Sequence, residues 1–283
     1  MTVHPKNPRL LDDLSLFVVC PPDHLPLLDL RPFGLSVPEE GLIDPLRDAA
    51  SPFMERLVAL DRGTFGPEDM PMPRFLFYDA SALPSAIIGF TKPAHHMSPA
   101  SRAVLGLGPA DEGLVPVSMY IAMPMIEKGV VLGHNLASMA ERLPDEDLAG
   151  LGRLTKAVAL KVLGATAQVG MTQWDSRALH VHTRMGPLDL LTAWTPAHAT
   201  PASLTYRAHL DDAALLHLAG DPAGSVERPQ PELWIDSDDH AAMQALQERI
   251  EGGERFRLVA APARLPGGRQ RSPIAHVTRA RAV

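Results

Sequence analysis

The segment Asp147-Leu-Ala-Gly-Leu-Gly-Arg-Leu-Thr-Lys156 decides the fold, because it joins a glycine-containing turn to the strongest helical pattern in the chain. Apolar residues recur there every three or four positions, at Leu148, Leu151, Leu154, Val158, Val162 and Ala165. This spacing predicts an amphipathic helix over residues 147–164. A glycine turn at a helix N-terminus exposes backbone N–H groups beside the positive end of the helix dipole, and such sites bind phosphate.

The composition is that of an ordinary globular protein, with 283 residues, 46% hydrophobic and 21% charged. The net charge of −7 argues against nucleic-acid and anionic-membrane partners, and no apolar run approaches the roughly eighteen residues of a membrane span. A lone cysteine, Cys20, excludes an internal disulfide and favours a reducing compartment. We therefore expect a cytoplasmic protein with a small-molecule substrate, and self-association is left open.

Periodicity and turn residues predict the other elements. Before the glycine turn they indicate strands at 14–20 and 25–33, two short helices after residue 41 that end near residue 63 or 66, a hairpin of strands at 74–79 and 85–91, a loop at 93–113, and strands at 115–124 and 129–139. After it they indicate strands at 179–183, 188–195 and 203–210, a helix at 238–250, and strands at 255–261 and 274–278.

This order predicts an α/β (α+β) fold with a mixed, largely antiparallel central sheet flanked by helices. We expect a main domain over residues 1–218 that contains the site. Residues 219–283 then form a C-terminal extension of one helix and extra strands, packed on the same domain.

Polar residues that could carry chemistry flank the turn on both sides. Upstream lie His134 and Asn135, and downstream lie Trp174, Asp175, His180, His182 and Arg184. On the predicted strand 179–183 both His180 and His182 would point to one face. We expect His134 or His182 as general base, Asp175 as a positioned carboxylate, and Asn135, Trp174 and Arg184 as substrate contacts. Trp174-Asp175 could instead be a packed turn.

The histidine pair could also take part in a metal site, with His198, His134 or Asp175 as a third ligand. No spacing in the sequence forces three such ligands together, so we expect no metal.

The element order and the motif Asp147-x-x-Gly150-x-Gly152 resemble those of the GNAT acyltransferase superfamily. In that family the central helix opens with Gln/Arg-x-x-Gly-x-Gly/Ala around the coenzyme A pyrophosphate. The resemblance covers residues 28–195. It implies an acyl-CoA co-substrate bound by Gly150, Leu151, Gly152 and Arg153, a thioester near the strand 117–122, and a small amine-bearing acceptor. The two glycines could instead simply allow a tight entry into the helix.

A second resemblance points to another class of enzyme. Val115-Pro-Val-Ser118, residues 148–156 and Ala178–Gly186 are similar to segments of acetoacetate-decarboxylase-like proteins, which use a lysine amine that condenses with a ketone. The resemblance implies Lys156 as the nucleophile, modulated by Glu127 or Arg153. Lys156 could equally be a solvated cation on the helix face. A non-enzymatic small-molecule-binding protein is the third alternative.

Overall fold

A computed structural model describes residues 2–68, 70–82, 86–198, 202–264 and 270–277. The chain folds as two compact units. Unit 1 comprises the residues up to Ala165 together with Leu218–Ala223, and unit 2 comprises Thr166–His217 together with the residues from Gly224 onward. The strand pairs within each unit are antiparallel except for one short parallel pair in unit 1, which agrees with the predicted mixed, largely antiparallel α/β class.

Five strands of unit 1 lie side by side in the order β5-β4-β3-β1-β2. Its strands are β1 (Ser15–Val19), β2 (Leu42–Ile43), β3 (Ala86–Pro93), β4 (Leu114–Pro124) and β5 (Val130–Ser138). β1 and β2 are parallel, and the other pairs are antiparallel. β4 lies inside the sheet, and every residue from Val115 to Ala122 is buried, so both of its faces are covered.

Helices cover the sheet of unit 1. They are α1 (Pro52–Phe65), α2 (Arg74–Ala82), α3 (Pro99–Val104) and α4 (Leu151–Val162). α4 packs on β3, β4 and β5, α1 packs on β4 and β5, and α2 packs on β3. The Ser118 hydroxyl on β4 bonds Thr155 of α4 at 2.7 Å. Because strand side chains alternate, Val117, Met119 and Ile121 point to the opposite face.

Unit 2 contains an antiparallel sheet with β6 (Ala167–Gln173), β8 (Ser203–His209), β7 (Leu188–Thr192), β10 (Phe256–Leu258) and β12 (Gln270–His276) in that order. The short strands β9 (Leu233–Ile235) and β11 (Ala263–Arg264) both pair with β12. Three helices accompany them, α5 (Ala178–His182), α6 (Asp212–Ala219) and α7 (His240–Glu251), and α7 packs on β7.

The predicted hairpin over residues 74–91 is wrong in its first half. Residues 74–82 form α2, because Phe77, Ala80 and Ser81 are buried at helical spacing while Phe75 is 59% exposed. The second half is β3, and residues 83–85 lie outside the described chain.

Three other predictions upstream of α4 need correction. The strand expected at 25–33 is a pair of 3₁₀ turns, since Pro22, Pro26 and Pro32 lack the N–H that a ladder requires. The two helices expected after residue 41 are the single helix α1, which ends at Phe65, next to an expected end at Gly66, and the loop expected at 93–113 contains α3.

No described helix is both long enough and apolar enough to cross a bilayer.

Candidate functional site

The predicted helix begins where its glycine turn ends. Asp147 (φ 49°) and Gly150 (φ 89°) both adopt the left-handed conformation, and α4 starts at Leu151. Glycine reaches this conformation without steric cost, which explains its place at the helix entry. The Leu154 N–H donates to the Gly150 carbonyl at 3.1 Å and so forms the first helical turn.

The N-terminus of α4 offers a donor and a cation at its surface. The Leu151 N–H donates to the Leu148 carbonyl at 3.0 Å, and the Leu151 side chain is buried in the core. The Gly152 N–H has no acceptor in the described chain. The Arg153 guanidinium folds back, so that a Cβ added at Gly150 would lie 3.4 Å from its Nη2. The Arg153 side chain therefore lies beside the end of the helix that attracts anions.

Gly152 also has a packing role. A Cβ at this position would lie 3.4 Å from the Cβ of Ser138 on β5, a distance tighter than most such contacts. The glycine thus lets the first turn of α4 approach the end of β5. Gly152 can therefore pack against β5 and still offer its backbone N–H to a ligand.

A β-bulge in β5 carries two of the predicted site residues. Tyr120 pairs with Leu136 and Ala122 pairs with Gly133, so His134 and Asn135 together oppose the single residue Ile121. Bulges re-aim side chains and occur frequently next to active sites. His134 is exposed, and Asn135 turns inward and donates from Nδ2 to Oδ1 of Asp61 at 3.1 Å.

Asp61 completes this cluster and was missed from the sequence. Its side chain on α1 is fully buried, and its Oδ2 accepts the Met72 N–H at 2.7 Å. Burial raises the pKa of the Asp61 carboxyl and is the largest effect on it. The bonds from Met72 and Asn135 and the nearby charge of His134 act in the opposite direction and lower this pKa. The signal was present, since Asp61 follows Leu57 and Val58 by four and three residues on the buried stripe of α1.

Lys156 is not the solvated cation that one sequence interpretation expected. It is 0% exposed, because every residue of α4 from Leu154 to Leu160 is buried. Its Nζ lies 5.5 Å from the centroid of the Tyr120 ring. Burial lowers the pKa of Lys156 to about 7. Glu127, proposed as its modulator, lies exposed in the turn between β4 and β5.

Unit 2 contains the other predicted residues. Trp174 is 1% exposed, and its indole N–H donates to the Ala193 carbonyl at 2.8 Å. Asp175 follows it in an exposed turn after β6. The indole is therefore a packed anchor of this turn, and the carboxylate beside it faces solvent.

The strand predicted at 179–183 is wrong. These residues form the one-turn helix α5, because Leu179 and Thr183 are buried at a spacing of four. His180 and His182 consequently do not share a strand face. His180 is exposed, and the half-buried His182 ring lies 5.3 Å from the Tyr206 ring. Arg184 is exposed. The pKa of Arg228 is lowered first by the burial of Arg228 itself and second by the positive charge of Arg184.

The structure groups the predicted residues in a defined way. In unit 1, His134 and Asn135 lie in the bulge of β5, and Asn135 bonds Asp61 of α1. The entry of α4 is formed by Gly150, Leu151, Gly152 and Arg153. In unit 2, Trp174 and Asp175 occupy one turn, and His182 and Arg184 lie at and just after the end of α5. Within the described chain, no three His, Cys, Asp or Glu side chains are arranged to hold a metal ion.

Comparisons with known proteins give little further information. No protein-family model matches the chain, and no curated protein matches it. Among solved structures, a "putative acetyltransferase of the GNAT family" from Desulfovibrio desulfuricans is similar over 58% of this chain and 94% of its own, with 16% identity and a TM-score of 0.34. A likeness at this level leaves the functional argument to the residues themselves.

Proposed function

We propose that the protein is an acyl-CoA-dependent acyltransferase of the GNAT type that acts on a small amine. The observation that carries this proposal is the entry of α4, where a left-handed Gly150 precedes an unused Gly152 N–H and the Arg153 guanidinium. The surrounding order supports it. The helices α1 and α2 precede the antiparallel strands β3, β4 and β5, and the glycine turn into α4 follows.

The entry of α4 is the proposed pyrophosphate site. The Gly152 N–H donates to a phosphate oxygen, the helix dipole favours the negative charge, and Arg153 adds a full positive charge. Asp147 opposes binding, because its exposed carboxylate lies three residues before Gly150. We therefore expect an affinity below the best that such a turn can give.

The acyl group belongs on β5 rather than on β4. The sequence placed the thioester near residues 117–122, but β4 has no exposed residue there. β5 is half-buried along Leu132–Leu136 apart from the exposed His134, so this strand can present backbone groups to a ligand. The bulge at His134 and Asn135 is the proposed position of the reacting carbonyl.

His134 is the proposed general base. The amine nitrogen forms a bond to the thioester carbonyl carbon, the C–S bond breaks, and His134 takes the proton that the nitrogen loses. The thiolate that leaves gains a proton from solvent. Asp61 acts as a positioning residue: it accepts the Asn135 amide and so fixes the bulge that presents His134.

The experiment is a thermal shift with coenzyme A. Saturating coenzyme A should raise the Tm of the native protein, and Gly152→Glu should remove the shift, because a carboxylate would take the place of the phosphate. Gly66→Glu is the matched control, since a Cβ there meets nothing within 4 Å. No shift of the native protein, or an equal shift in Gly152→Glu, would exclude the proposal.

The burial of Lys156 supports a second candidate, a Schiff-base enzyme. An amine with a pKa of about 7 is largely unprotonated above neutral pH and can attack a ketone carbonyl, forming an imine and releasing water. Borohydride with a keto acid should then trap a covalent adduct on Lys156, absent from Lys156→Met and retained in Lys161→Met. A negative result with the native protein would remove this candidate.

A further inference from the structure

A surface cleft of about 140 Å³ lies along α1 in unit 1. Its lining includes Arg56, Ala59 and Gly63 of α1 and also Arg142, whose guanidinium contacts the α1 backbone at Gly63. Apolar side chains form its floor, among them Leu60, Leu105, Val115 and Met139. The cleft therefore combines an apolar interior with two guanidinium groups at its walls.

The two arginines differ in the number of hydrogen bonds and ion pairs that their guanidinium groups make. Arg56 is fully engaged, because it pairs with Asp111 at 2.9 Å and also donates to the carbonyls of Glu112 and Leu114. Arg142 donates through Nη1 to the Gly63 carbonyl, and no described carboxylate lies within 4.0 Å of it. Arg142 is thus an uncompensated cation with remaining N–H donors at the cleft wall.

Gly63 allows this arrangement. A Cβ added at Gly63 would lie 2.7 Å from Nη1 of Arg142, closer than real Cβ contacts occur. A larger residue at position 63 would push the guanidinium away from the cleft wall. Gly63 therefore leaves the space in which the Arg142 guanidinium reaches the α1 backbone.

We propose that this cleft binds a small monocarboxylate whose apolar part is about the size of a benzene ring. A cavity of about 150 Å³ accommodates benzene, which matches the volume here. A carboxylate accepts the remaining donors of Arg142 in the planar geometry that guanidinium favours. The apolar group then covers Leu60 and Leu105 on the floor. Gly150–Arg153 do not line this cleft, so the proposal does not depend on the acyltransferase assignment.

The test is a calorimetric titration of the intact protein with benzoate, compared with benzyl alcohol and benzylamine. Benzoate should bind, the alcohol about ten-fold more weakly because it lacks the charge-assisted bond, and the amine not at all. Arg142→Gln, which can still donate to Gly63, should weaken benzoate by about ten-fold.

Ala59→Leu gives an independent variant, because Ala59 is exposed and the substitution fills the cleft without removing a charge. It should abolish benzoate binding at unchanged Tm. Two results would overturn the proposal: no benzoate binding to the native protein, or binding that neither variant reduces, which would place the benzoate outside this cleft.

Discussion

Asn135, in the bulge of β5, donates its side-chain amide to the buried carboxylate of Asp61 on α1 at 3.1 Å. The two residues are 74 positions apart in the chain, and a second donor, the Met72 N–H, holds the other carboxylate oxygen at 2.7 Å. Asp61 therefore joins the bulge that presents His134 to α1 and to the segment that leads into α2.

Replacing Asn135 by Ala should destabilise the protein by about 1–3 kcal/mol, because a buried carboxylate loses a donor. The loss should be largest at neutral pH and shrink in acid. Burial holds the pKa of Asp61 above its ordinary value, so in acid the carboxyl is protonated, and the bond from Asn135 then contributes less to stability. Urea unfolding at both pH values measures this. Asn7→Ala is the control, since its amide makes only solvent-exposed bonds, donating to the Asp147 carbonyl and accepting the Arg9 N–H. Equal losses in the two variants would contradict the role of the bond.

Replacing Asp147 by Asn should strengthen coenzyme A binding by about two- to five-fold at low salt, because one negative charge leaves the entry of α4. The gain should fall as salt is added. Asp79→Asn removes the same charge from an exposed position on α2 and should leave the affinity unchanged. Weaker binding in Asp147→Asn would show that the phosphate lies elsewhere or that Asp147 holds the turn itself.

Lys156 should make the stability of the protein depend on pH. Its pKa is lowered to about 7 in the folded state, whereas the unfolded chain keeps the ordinary value of 10.5. Between these values the unfolded state binds more protons, so stability should rise with pH by about 1.4 kcal/mol per pH unit. Below pH 7 the buried cation costs most, and above about 10.5 the dependence ends.

Lys156→Met should flatten that slope and raise stability near neutral pH, because it removes a buried charge. Lys161→Met, on the same helix but partly exposed, should keep the slope. Urea titrations from pH 6.5 to 10 measure both. The same slope in the native protein and in Lys156→Met would show that Lys156 is charged when folded.

Trp174→Phe should destabilise the protein by about 1 kcal/mol, because the Ala193 carbonyl loses its donor in a buried site. Trp234, which is 39% exposed on β9, provides the matched control, and Trp234→Phe should have an effect below about 0.5 kcal/mol. Chemical denaturation followed by circular dichroism avoids dependence on the altered fluorophores. A larger loss in Trp234→Phe would show that Trp174 is not the anchor of its turn.

The sequence predicted correctly those elements whose apolar residues form one long run or repeat at a single regular spacing. β4, β5, β8, α4 and α7 lie close to their expected positions, because each is a long apolar run or a regular stripe. The aromatic run at 74–79 alternates like a strand, yet contacts of Phe77 and Ala80 with the core make it helical. Tertiary packing outweighs local propensity there. The elements β6, α6 and β9 were not recognised from the sequence.

The candidate site was only partly predictable for a related reason. The glycine turn and His134-Asn135 were identified, since glycine and polar residues beside it are local signals. Asp61 was missed because its partners Met72 and Asn135 come from other elements. Lys156 was misjudged because a stripe on one face of a helix does not reveal that the opposite face is also covered.

The most direct test of the acyltransferase account is a calorimetric comparison of coenzyme A with pantetheine, which lacks the pyrophosphate. If the entry of α4 holds the pyrophosphate, coenzyme A should bind at least about ten-fold more tightly than pantetheine, and Gly152→Glu should remove that difference. Equal affinities for the two ligands, or no binding of coenzyme A to the native protein, would contradict the account.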